Sequence, residues 1–349
     1  MSEVIKSYKG FNKDMTCKDY QFEEGQEYET ERAEACEEGF HTCEYPLDVF
    51  EYYNPAESVF HQVEQSGEIS RKGNDNKVAS TKIKIGASIN IAGLVKAAIE
   101  YTTSRITQGK TSNDDYSASS NTGDCGASSN TGYRGASSNT GYCGASSNTG
   151  NCGASSNTGY RGASSNTGDY GASSNTGYRG ASSNTGNCGA SSNTGDYGAS
   201  SNTGNYGASS NTGYYSASSN TGDCGASSNT GYYGASSNTG YRGASSNTGD
   251  YGASSNTGNC GTSSNTGYCG STEAGHPNSV AIAWGPESKA KGVLGSFLVF
   301  AEWEDTQNGG IWEERRWDFK GAKMVRVDGE KIKADRYYKL KNGELVESE

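Results

Sequence analysis

Apolar positions fall into two blocks, at the two ends of the chain, separated by a long stretch without any large aliphatic residue. In the first block, Val4-Ile-Lys-Ser-Tyr-Lys-Gly10, Ser58-Val-Phe-His-Gln-Val-Glu64 and Lys77-Val-Ala-Ser-Thr-Lys-Ile-Lys-Ile85 alternate apolar and polar side chains and predict strands. Pro46-Leu-Asp-Val-Phe-Glu-Tyr-Tyr53 begins on Pro, spaces its apolar residues helically and stops before Asn54-Pro55, so it predicts a short helix. Ile91, Leu94, Val95, Ala98 and Ile99 form one stripe of a second helix over 89–105, placed to cap the central stretch. Residues 1–106 therefore predict an α+β domain. In the last block Ser296-Phe-Leu-Val-Phe-Ala-Glu-Trp303 predicts a strand, and Asp328-Gly329 and Asn342-Gly343 are hairpin signals. An antiparallel β cap over 293–349 is the expected result.

Between Ile106 and Val280 there is no Leu, Ile, Val, Met, Phe or Trp. After a junction at 107–116, the phrase Gly-Ala-Ser-Ser-Asn-Thr-Gly-x-x runs 17 times over 117–269 without insertion or deletion. Position eight is always Asp, Asn or Tyr, and position nine always Cys, Arg or Tyr. A flexible Gly/Ser tether has a similar composition, but a tether tolerates slips in length. Stacked strands do not, because a one-residue slip turns every later side chain to the other face. The array therefore predicts a parallel β-solenoid, in which backbone ladders and small side chains replace a greasy core.

Two longer periods bear on the coil. The Asn residues at position eight (Asn151, Asn187, Asn205, Asn259) all fall in even-numbered repeats, and Cys152, Cys188, Cys224 and Cys260 recur every 36 residues. Two repeats, 18 residues, make one coil in this reading, and the 17 repeats stack to roughly 40 Å. Alternation puts positions two, four and six on one face and three and five on the other. Ala, the least polar constant residue, favours the first set inside; a buried Asn ladder is the alternative. The variable pair belongs at exposed corners, with the flanking glycines supplying unusual backbone angles. On an 18-residue coil Tyr197, Tyr215, Tyr233 and Tyr251 stack as an aromatic ladder. With Arg161 and Arg179 they are the candidate protein-binding residues.

Composition narrows the function. The net charge is −11, and the repeats hold five Asp against four Arg, so the acidity lies in the flanking regions and no phosphate-binding surface is expected. No apolar run has the length of a signal peptide or a membrane span, which points to the cytoplasm of a bacterium or an infected host, with a virion or cell surface as the alternative. Seven of the ten cysteines occupy one repeat position in exchange with Tyr and Arg, so free thiols are expected rather than a cystine framework. Calcium-binding nonapeptide rolls need an Asp in every repeat; only five repeats have one at position eight. Cys17, Cys36, His41 and Cys43 are the residues a zinc ion would use, but they lack a Cys-x-x-Cys knuckle, and no metal or other cofactor is expected. No nucleophile and base stand out, so the chain is expected not to be an enzyme.

Lys9-Gly-Phe-Asn-Lys-Asp-Met15, Gly39-Phe-His-Thr-Cys43 and Tyr45 to Pro55 resemble an uncharacterised domain family of bacterial and phage proteins that small-residue repeats typically follow. The resemblance covers roughly residues 1–105 and implies context rather than mechanism. Tyr8-Lys9-Gly10 followed by Gly39-Phe40-His41 resembles the opening of ADP-ribosyltransferase-like folds, which implies a candidate activity for this domain. Asn278-Ser-Val-Ala-Ile-Ala-Trp-Gly-Pro-Glu-Ser-Lys-Ala-Lys-Gly292 is similar to the head repeats of trimeric autotransporter adhesins, parallel β-rolls, and implies that solenoid geometry continues over 270–292. The function then has three readings. The first is a structural rod that displays its corners to a protein partner or to itself. The second is a surface of Ser, Thr and Asn rows matching ice or another ordered lattice. The third is an active N-terminal domain with the rod as spacer.

Overall fold

In every repeat the Ala-Ser-Ser-Asn segment forms a four- or five-residue strand, from Ala118–Asn121 to Ala253–Asn256, and Thr262–Asn265 does the same in the last. The Thr-Gly-x-x-Gly after each strand turns the chain. Each strand pairs in parallel with its equivalent 18 residues on: Ala127 with Ala145, Asn130 with Asn148, Ala136 with Ala154. Even repeats thus build one wall and odd repeats the other, which establishes the 18-residue coil. The structure is a computed structural model and describes residues 4–18, 20–72, 77–105, 108–306 and 317–348. About 11 coils stack between residues 111 and 300. The solenoid starts earlier than the first full repeat, because Gln108–Ser112, in the stretch read as a junction, already pairs with Gly126–Asn130.

The inward face is the reverse of the one that Ala favoured. All seventeen Ser residues of position three and all seventeen Asn residues of position five are buried, while Thr of position six faces out. Hydrogen-bonding capacity decides it. Asn247 donates from Nδ2 to Gly234 O (2.6 Å) and Ala253 O (3.4 Å), both on the opposite wall, and its Oδ1 accepts from Gly249 N (2.9 Å). Ser245 Oγ donates across to Ser255 O (2.7 Å). The walls stand so close that short polar side chains span the gap and satisfy one another's backbone, whereas inward Ala would leave voids and inward Thr would have no partner in place. The interior of the rod is a hydrogen-bonded lattice.

Glycine has a different task from the one expected. The repeat glycines are absent from the left-handed region; that conformation falls on position nine, as at Cys188 (φ 54°) and Tyr206 (φ 57°). Glycine is required for room: a Cβ on Gly177 would overlap the carbonyl oxygen of Gly159 one coil away, and one on Gly144 would overlap the Asn139 amide.

The N-terminal domain is built on antiparallel strands Ile5–Asn12, Phe40–Cys43, Ser58–Arg71 and Lys77–Ser88, whose pairings close into a small ring, with the 3-10 turn Pro46–Glu51 and the helix α1 (Ile91–Ser104) alongside. Asn90 caps α1 by accepting from Gly93 N at 2.9 Å. Rather than sitting on the end of the rod, α1 lies along its flank. Leu94, Val95 and Ala98 share one core with Ala181, Ala199 and Ala217, the outward alanines of the even wall. The helix contacts the strands that begin at Ala145, Ala163, Ala181, Ala199 and Ala217. At 1.5 Å per residue it is about 21 Å long, and four coil steps are about 19 Å, so its axis follows the rod. Ala at position two gives it a flat, apolar floor.

Towards the C terminus the lattice gives way to a plug. Positions three and five become Thr272 and Ala274, Ala281 and Ala283, then Leu298 and Phe300, which pack with Val327, Ile332 and Tyr338. Both walls are then closed by antiparallel strands. Trp317–Arg326 covers Phe297–Asp305, and the hairpin Tyr337–Lys341/Glu344–Ser348, turning at Asn342-Gly343, covers Lys289–Gly292. These closures shield the open ladder against stacking by another chain. Asp328-Gly329 makes no hairpin: Asp328 Oδ1 instead accepts from the N–H groups of Glu330, Lys331 and Ile332, each at 2.9 Å, and folds a loop.

Candidate functional site

The corner after the odd strands carries a stripe of stacked rings. Coil spacing of about 4.8 Å suits ring stacking, and Tyr142, Tyr160 and Tyr178 stack at 5.1 and 5.2 Å between centroids. Tyr197 continues from Tyr178 at 5.3 Å, and Tyr197, Tyr215, Tyr233 and Tyr251 continue it at 5.6, 5.0 and 5.1 Å, within about 20° of parallel. Tyr268 and Trp317 extend the stripe at 5.6 and 5.7 Å. The ladder expected over four tyrosines therefore runs from Tyr142 into the cap. Burial, and then Tyr178, push the Tyr197 hydroxyl up to about 12, so it presents a neutral donor.

The corner after the even strands carries an Asx ladder that includes the repeat asparagines of position eight. Asn151 Oδ1 accepts from Asp169 N (3.3 Å), Asp169 from Asn187 N (2.9 Å), Asn187 from Asn205 N (3.2 Å) and Asn205 from Asp223 N (3.0 Å). Each Asx carbonyl or carboxylate ties its coil to the next. Beside this ladder the exposed row runs Cys188, Tyr206, Cys224, Arg242, Cys260, so ring or guanidinium separates successive free thiols. Cys125 and Cys143 are in adjacent coils, where burial and then Cys125 raise the Cys143 pKa.

Arg161 and Arg179 are not displayed. Arg161 Nη2 lies 3.1 Å from Asp48 Oδ2, and Arg179 reaches Asp48 Oδ1 at 3.3 Å and Glu51 Oε2 at 2.5 Å, all from the turn at 46–51. Tyr45 Oη also donates to Arg179 O at 2.8 Å. Burial lifts the Asp48 carboxyl to about 6 against the pull of both guanidiniums. The local backbone differs here. Arg161 and Arg179 N–H groups point back to Tyr142 O and Tyr160 O, whereas Tyr197 N–H points forward to Tyr214 O. These two arginines fix the N-terminal domain to the rod, a role that their sequence neighbours could not reveal.

The N-terminal domain contains a cavity of about 380 Å³ lined by Tyr8, Lys9 and all four residues considered for zinc. The four do not converge on one point: His41 Nε2 accepts from Cys36 N (2.9 Å) and Nδ1 meets Gly39 O (3.0 Å), which fixes a neutral imidazole, with burial lowering its pKa. Among the described residues no three His, Cys, Asp or Glu side chains are placed to hold a metal ion. Burial raises the Cys43 thiol far above its ordinary range. The group that sequence reasoning missed is Lys9. It is 5% exposed, and its Nζ donates to Tyr53 Oη (2.9 Å) and His41 O (3.2 Å) and lies 3.5 Å from Cys17 Sγ. Its place in the alternation of Ile5, Ser7, Lys9 and Phe11, all inward, was the available signal.

Residues 5–97 match a family model described as a domain of unknown function, DUF7666. That span covers the strand ring, the 46–51 turn, every described residue of the cavity wall and the first half of α1, and ends before the solenoid. No curated protein and no solved structure matches the chain. Among the described residues no helix is long and apolar enough to cross a membrane.

Proposed function

We propose that the chain is a non-enzymatic structural and interaction protein whose stiff rod offers its tyrosine corner to a protein partner or to a second copy. The continuous stripe from Tyr142 to Trp317 carries the reading. Tyrosine combines large apolar area with a polar tip and is enriched at interfaces, and a lattice-held backbone spares the ordering cost of binding. The chain's own domain occupies the even wall from Ala145 to Ala217 and meets the stripe at Tyr197, which leaves the odd wall and the stripe beyond Tyr197 for others. The free thiols of the repeats support a reducing compartment such as a bacterial or infected-host cytoplasm. The test is cross-linking mass spectrometry in lysate together with sedimentation of the purified protein. Replacing Tyr215, Tyr233 and Tyr251 with Ser should abolish cross-links at this corner and any self-association; an unchanged pattern would refute the reading.

One observation favours a second reading. On the odd wall Ala, Ser and Thr of positions two, four and six form outward rows at coil spacing, as at Ala172 and Ser174, and α1 leaves that wall uncovered. Such rows suit ice or another ordered surface. Thermal hysteresis in the native protein, lost when Ala172 and Ser174 become Lys, would move the function there.

A further inference from the structure

We propose that the cavity of the N-terminal domain is a receptor for a small aromatic carboxylate, which Lys9 and Tyr53 bind by its charged end. The Lys9 ammonium is almost wholly buried, yet among the described residues no carboxylate pairs with it. Its neighbours are a carbonyl, a phenol, a thiol and the faces of Phe11 and Tyr53, each 5.4 Å from Nζ to centroid. Dipoles and rings ease a buried cation but leave its charge uncompensated, and such a charge is costly.

The cavity reaches this group. Among the described residues its wall includes Lys9, Tyr53, Cys17, Lys18 and Lys77 against the single acid Glu37, in a chain whose net charge is −11. A carboxylate that displaces the weak Cys17 Sγ contact, 3.5 Å from Nζ, would accept from Lys9 and Tyr53 Oη together, since these donors are already held 2.9 Å apart. The remaining wall is aromatic. Phe22 and Phe40 stand edge to face at 6.3 Å, and Tyr20 and Tyr52 line the same space. A planar ring fits that surface better than a bare inorganic anion does, and the volume lies in the range of small-molecule sites. Burial lowers the Lys9 pKa, with Cys17 opposing it. A bound carboxylate would raise it again, so binding should take up protons and weaken as pH rises.

The experiment is a ligand-observed NMR titration of the full chain with benzoate, its neutral isostere benzamide, and inorganic phosphate. Benzoate should bind at least tenfold more tightly than either control, with an affinity that falls on alkalinisation. Lys9→Met, which keeps the aliphatic stem and removes the buried charge, should cost benzoate at least tenfold and leave benzamide unchanged. Tyr53→Phe should weaken benzoate several-fold, and it keeps the test alive if the methionine variant does not fold. Benzoate that fails to bind, binds no better than benzamide or phosphate, or ignores both substitutions overturns the proposal.

Discussion

Replacing Asn247 by Ala tests whether the polar lattice holds the rod together. The substitution removes both donations across the interior and leaves the Gly249 N–H buried with no acceptor. An unsatisfied buried donor costs about 1–3 kcal/mol, and a residual void of roughly 25 Å³ adds about 0.6 kcal/mol. Gly234 O keeps its bond from Ala253 N at 2.9 Å, so the strand ladder itself is spared. The expected loss is about 2–4 kcal/mol. Thr248→Ala, one residue on and exposed, should stay within about 0.5 kcal/mol of the parent. Asn247→Asp should be worse than Ala, because it turns a carboxylate towards two carbonyl oxygens. Long repeat arrays can unfold in parts, so the readout combines denaturant midpoints with peptide-resolved hydrogen exchange over 234–258. Equal effects of Asn247→Ala and Thr248→Ala would refute the lattice.

The geometry sets three further outcomes. Gly177→Ala should break the rod locally, costing several kcal/mol through overlap with Gly159 O; a variant with parental exchange protection in that coil would contradict the close approach. Arg179→Glu sets a carboxylate against Asp48 and Glu51 and should release the N-terminal domain, raising the radius of gyration in solution scattering and the exchange rate of α1; an unchanged profile would show that the helix floor suffices. Mild oxidation should yield a Cys125–Cys143 link as the only intramolecular bridge among the repeat cysteines, because Tyr170, Tyr206 and Arg242 stand between the others on the even corner; a recovered Cys260–Cys269 bridge would sink the assignment of odd and even repeats to opposite corners.

The coil was legible because the unequal corners leave a period in the sequence. Asn appears at position eight only in even repeats, although an Asx side chain accepts from the next coil's N–H at both corners, as Asp196 does from Tyr214 N and Asp250 from Tyr268 N, so the bias marks the two-repeat period without that bond accounting for it. The inward face was not legible, because apolarity is the usual guide and here satisfiable hydrogen bonds decide instead. Ala looked like core, and in coils from Ala145 to Ala217 it is buried, but against α1 from outside the rod. The helix stripe over Ile91 to Ile99 shows in its period, while its partner lies in repeats far along the chain that no local pattern names. For the same reason Arg161 and Arg179 looked like displayed residues: their acids, Asp48 and Glu51, stand more than a hundred positions earlier.

The most direct measurement of the account is the exchange of Asn side-chain amides by NMR on Asn-labelled protein. The Nδ2 hydrogens of the seventeen buried Asn residues, each held between the walls, should exchange slowly. Those of the exposed corner residues Asn151, Asn187 and Asn205, whose Oδ1 atoms alone are engaged, should exchange at once. Fast exchange of both groups would mean that the repeat asparagines face water and that the interior described here does not exist.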